Sequence, residues 1–111
     1  MGRPKIYFHH EDPITVVRIV EAIVSDVPRK ERAITYSTQH PLILEEYARV
    51  NEIVYTALNK IEPELCKAIM HDIIDRIGYD RSKASIFTSK GAYYRRKRMF
   101  IHDIAEALKL I

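Results

Sequence analysis

The sequence predicts an all-α protein of about five helices that ends in a helix-turn-helix. Three observations carry this expectation. Apolar residues recur at intervals of three and four through most of the chain. Pro13, Pro41 and Pro63 each open such a run, at the place where a helix tolerates proline. Finally, Thr88-Ser89-Lys90-Gly91-Ala92-Tyr93-Tyr94-Arg95-Arg96-Lys97-Arg98 joins a helix-cap signal to a four-residue basic cluster beside a tyrosine pair. An amphipathic continuation follows it through Met99, Phe100, Ile101, Ile104, Ala105 and Leu108.

With 111 residues, a single domain is expected over 1–111. It divides into an arm at 1–11, N-terminal helices at 12–61 and a helix-turn-helix part at 62–111. The apolar share of 47% and charged share of 30% suit a folded, water-facing chain. A lone Cys66 leaves no internal disulfide framework and no cysteine-based zinc site, so a reducing cytoplasm is expected. No apolar run is long enough for a membrane, and no signal-peptide pattern is visible. No metal or cofactor is expected; adjacent His9 and His10 cannot share one helix face and find no other ligand cluster.

The net charge of +3 is unevenly spread. Residues 1–75 hold nine lysines and arginines against twelve acids, net −3, and residues 76–111 hold nine against three, net +6. An acidic front and a basic tail point to two surfaces with different partners.

The elements follow in order. Asp12-Pro13 reads as a cap and a first helical position. The run behind it is rich in β-branched residues, yet Thr15, Arg18, Glu21, Ala22 and Ser25 mark one helical face. The opposite side (Ile14, Val16, Val17, Ile19, Val20, Ile23, Val24, Val27) is wider than a surface helix needs, which fits either central burial or a homodimer interface. Pro28 is expected to stop this helix, leaving residues 26–40 as the main break, with a short helical turn at 29–34 or a crossing segment.

Pro41 starts a second helix, capped by Gln39 or His40. Its polar face is Glu45, Arg49, Glu52, Thr56 and Asn59/Lys60, and its apolar face Ile43, Tyr47, Val50, Val54, Leu58 and Ile61. Glu45 and Arg49, one turn apart, can pair. Pro63 opens a third helix to about Ile77, with Leu65, Cys66, Ile69, Met70, Ile73, Ile74 and Ile77 as its stripe and Gly78 as its stop. A short helix capped by Asp80 is expected to Phe87, then a tight break, then a last helix capped by Ser89.

In that last helix Tyr93, Phe100, Ile101 and Ile104 would face inward, with the stem of Arg96 along them. Lys90, Gly91, Tyr94 and Arg95 would point outward to base edges. Lys97 and Arg98 would reach phosphates, as would Arg81 and Lys83 on the shorter helix. Arginine suits guanine O6/N7, and lysine either guanine or phosphate. Ser89 and the free N–H groups behind it would favour an anion.

The stretch from Thr88 to Ile111 resembles the C-terminal end of the ArpU/RinA-like regulators of phage late genes. Ser89, Tyr93, Tyr94, Arg95, Lys97, Ala105 and Leu108 match that pattern, and the resemblance covers about residues 62–111. This region is in turn similar to the promoter-reading C-terminal domain of sigma factors. The resemblance implies a sequence-specific, double-stranded DNA-binding transcriptional regulator of phage or mobile-element type in a bacterial host cell. Double-stranded DNA is then the expected partner, with RNA polymerase as the second contact if the protein acts as a monomer. Gly91 departs from the family's usual polar residue, and nothing in the first 40 residues carries the likeness.

Two other binding functions fit the same residues: a small DNA-recognition subunit of a phage packaging terminase, and a protein-interaction factor that lays the basic helix on an acidic partner. An enzyme is not expected. His71, Asp72, Asp75, His102 and Asp103 are acid–base types, but no motif makes them converge.

Overall fold

The computed structural model describes residues 12–111. The arm expected at 1–11, with His9 and His10, lies outside the described residues. The protein is all-α, and no strand occurs among the described residues. Its helices are α1 (Ile14–Ser25), α2 (Val27–Tyr36), α3 (Pro41–Leu58), α4 (Pro63–Asp75), the single-turn α5 (Ala84–Phe87) and α6 (Lys90–Ala107). A 3-10 turn, Tyr79–Arg81, precedes α5.

The break expected at 26–40 is instead a ten-residue helix. Pro28 has no N–H to give the carbonyl one turn behind it, so α1 ends at Ser25 and the chain bends. The same ring sits comfortably in the first turn of α2. Asp26 makes the joint: its N–H bonds to Ala22 and Ile23, and its own carbonyl accepts from Lys30. Its carboxylate holds Arg29 at 2.6 Å and lies 3.9 Å from Lys30. Arg29, Glu31 and Arg32 of the charged run form the outer face of α2, while Val27, Lys30 and Ala33 are buried.

Asp12 does not cap α1. Pro13 occupies the cap position, and Asp12 Oδ1 lies 3.0 Å from His102 Nδ1 on α6. Val20 and Val24 bury fully against α4 and α6, so α1 is central, although Ile14 and Ile19 remain exposed.

His40 caps α3, its Nδ1 accepting from the Leu42 N–H at 3.1 Å. The buried line of α3 is Asn51, Val54 and Ala57, rotated from the face expected from its apolar period. Leu42 and Ile43 are exposed, because only α2 covers this end of the helix. Arg49 pairs with Glu46, not with Glu45. The Asn51 amide is buried with no hydrogen-bond partner, and nothing in the structure explains that burial.

Helix α4 ends at Asp75, three residues before Gly78. Arg76 takes the left-handed conformation (φ 60°), and its N–H and that of Ile77 both donate to the His71 carbonyl. Gly78 keeps a negative φ. The short helix expected from Asp80 to Phe87 divides at Ser82, whose hydroxyl donates to the Tyr79 carbonyl and accepts from the Ala84 N–H. Ala84 is buried, which lets α5 lie close on α4.

Helix α6 crosses this assembly. Tyr93, Phe100, Ile101, Ile104 and Ala105 are its buried residues, and they join Val20, Val24, Val54, Ile69 and Ile73 in one core. Its end closes at Lys109 (φ 62°), with the Leu110 N–H donating to the Ala105 carbonyl.

Candidate nucleic-acid interface

The start of α6 is set by two local devices. Ser89 Oγ accepts from the Ala92 N–H at 3.2 Å, so this hydroxyl caps the helix. Tyr79 Oη donates to the Thr88 carbonyl at 2.6 Å and ties the preceding turn to the start of the helix. Tyr79 also packs on Tyr93, with ring centroids 5.3 Å apart, and Tyr93 meets Tyr94 edge to face at 5.0 Å.

The basic cluster splits by helical register. Arg95 and Arg98 are exposed, as is Gly91, and the three lie along one stripe of the helix. Neither arginine has an ion-pair partner among the described residues. Lys90 is exposed and sits 3.5 Å from Asp80, a surface pair of small energetic consequence. Tyr94 is half-buried against the core, not fully outward. Arg96 points to the other side and binds Glu62 at 3.0 Å; this hydrogen bond holds the Glu62 carboxyl below its usual range.

Lys97 is not placed to reach phosphate. Its ammonium lies 3.1 Å from Asp72 and 3.8 Å from Glu21, with only 17% of the side chain exposed, and it sits 5.9 Å from the Tyr94 ring centroid. Four residues after Tyr93, it shares the inner side of α6 and faces α4 and α1. Asp72 also accepts from Tyr93 Oη at 2.8 Å. Burial, and then this hydrogen bond, push the Tyr93 phenol well above the usual tyrosine range. Sequence reasoning placed Asp72 only among acid–base types. Its register beside Leu65, Ile69 and Ile73 was the available sign that it faces inward.

The chain matches no family model, no curated protein and no solved structure.

Arg81 and Lys83 are exposed. They line a groove between α4 and α5 together with Lys67 and His71, and no residue of α6 contributes to its lining. Of the acid–base types on α4 and α6, Asp72 is bound to Lys97 and Tyr93, and Asp103 lies 3.7 Å from Lys60. His71 and Asp75 are exposed. Among the described residues no three metal-ligating side chains converge, and no helix is long and apolar enough to cross a membrane.

Proposed function

We propose that this protein is a sequence-specific, double-stranded DNA-binding transcriptional regulator of phage or mobile-element type, with α4, α5 and α6 acting as a helix-turn-helix. The observation that carries the reading is the pair Arg95 and Arg98. They are exposed and unpaired among the described residues, on the first half of a capped helix whose other strong cations, Arg96 and Lys97, are tied into the fold. Such a helix can enter a major groove with its N-terminal residues toward bases. Arg95, nearer the cap, reads a base edge, and Arg98, one turn later, meets a phosphate. Lys90 joins them once its surface pair with Asp80 opens. The reading assigns no catalytic residue.

Binding to duplex DNA, followed by fluorescence anisotropy after sequence selection on random DNA, tests this. Arg98 on one phosphate, with Lys90 on a second, should give a log–log salt slope of about −2. Arg95→Ala should lose about 1–3 kcal/mol on the selected site and little on random DNA. Undetectable affinity at low salt, or an equal loss on both DNAs, rejects the assignment. The exposed Ile14 and Ile19 of α1 are the surface we assign to a homodimer. Light scattering checks it: a dimer agrees with a paired half-site, a ring of many subunits with a packaging subunit, and a monomer with polymerase as the second contact.

A further inference from the structure

The α4–α5 groove has a chemistry that the DNA reading does not use. It is about 480 Å³, floored by Pro63, Ala68, Ile77 and Phe87 and rimmed by Lys67, Arg81 and Lys83, with His71 beside them. Lys67, Arg81 and Lys83 have no ion-pair partner among the described residues, and Glu64, the one carboxylate in the lining, is the single acid set against these three cations. Cations gathered around one concavity repel each other until an opposite charge enters. The floor adds a second demand. Phe87 is 57% exposed, an apolar surface that water does not favour.

We infer that this groove docks an acidic segment of a partner protein, one that sets an apolar side chain on Phe87 and Ile77 and carboxylates against Lys67, Arg81 and Lys83. The charge complementarity selects an acidic occupant, and the apolar floor selects a peptide over a sugar-phosphate backbone, which offers phosphates but no apolar anchor. From Pro63 to His71 the α4 wall runs about 12 Å, enough for two helical turns or about four extended residues. The inference does not depend on what α6 binds, since no α6 residue lines the groove.

The experiment is an NMR titration of the isotope-labelled full chain with an eight-residue peptide of aspartate and glutamate interrupted by two leucines and a phenylalanine. Two control peptides carry alanine in place of the apolar residues, or asparagine and glutamine in place of the acids. A short duplex DNA is the fourth probe. The expected result is shifts at the amides of Lys67, His71, Ile77 and Phe87 with the first peptide, and at least ten-fold weaker binding of both controls. Lys67→Glu and, separately, Phe87→Ser should each weaken the first peptide at least ten-fold. Lys67 and Phe87 are both exposed, and a thermal melt of each variant confirms that it is folded. No shifts at millimolar peptide, equal binding of the alanine control, or shifts of the same amides by DNA would each overturn the inference.

Discussion

Tyr93 Oη donates to Asp72 Oδ2 at 2.8 Å, and Lys97 Nζ sits 3.1 Å from the other oxygen of the same carboxylate. One aspartate on α4 thereby holds two side chains of α6, and Glu21 of α1 approaches the same ammonium at 3.8 Å. Three helices meet at this part-buried polar contact.

A lysine in this position stabilises the fold before it does anything else. Lys97→Ala should destabilise the protein by about 1–3 kcal/mol, since it leaves Asp72 largely buried with half its partners gone. Arg98→Ala, on the exposed side, should leave stability unchanged and weaken DNA binding. Denaturant unfolding and anisotropy on the two variants separate the roles. A Lys97→Ala protein of normal stability and reduced DNA affinity would return Lys97 to the phosphate contacts.

The two shifted phenols give an alkaline signature. Burial, and then Glu31, push Tyr55 up to about 12, and Tyr93 is raised by burial and by Asp72. Both folded values lie above the unfolded value near 10. Their contribution is therefore complete below about pH 10 and is lost as pH rises from there toward about 12. Ultraviolet titration should show Tyr55 and Tyr93 ionising well above pH 10, and Tyr93→Phe should flatten the alkaline loss of stability. An unchanged profile in that variant contradicts the assignment.

Arg76 ends α4 in a conformation that disfavours any side chain with a Cβ. Arg76→Gly should stabilise by about 1 kcal/mol, raising Tm by about 4 °C. A lower Tm would mean that the arginine makes a contribution larger than its backbone strain.

Asp12 distinguishes a cap from a clasp. Asp12→Ser keeps a good capping residue yet cannot span the distance to His102. A loss of about 1–2 kcal/mol is expected from the clasp. Unaltered stability would restore the cap.

Gly91 sits in the first turn of α6, where an added Cβ would meet only Arg95 Nη1 at 3.7 Å, an ordinary contact. Gly91→Ala should thus stabilise the helix by about 0.5–1 kcal/mol. If the bare backbone serves a close approach to DNA, affinity should fall in the same variant. Equal affinity would leave Gly91 with no part in binding.

By itself the sequence determined the all-α class, the helices that begin at Pro41 and Pro63, the Ser89 cap and the inward face of α6 through Tyr93, Phe100, Ile101 and Ile104. These depend on period and local hydrogen bonds, which neighbours in the chain decide. The tertiary structure decided what each cation and carboxylate does. Lys97 and Arg98 are adjacent and both cationic, yet a 100° step around the helix turns one to Asp72 and the other to solvent. Asp12 gave up a local cap for His102, 90 residues away. Arg81 and Lys83 line a groove with Lys67 and His71, and Ser82 divides the short helix that was expected to carry them. Charged side chains are long and find partners across the fold, so their roles depend on distances that no spacing along the chain contains.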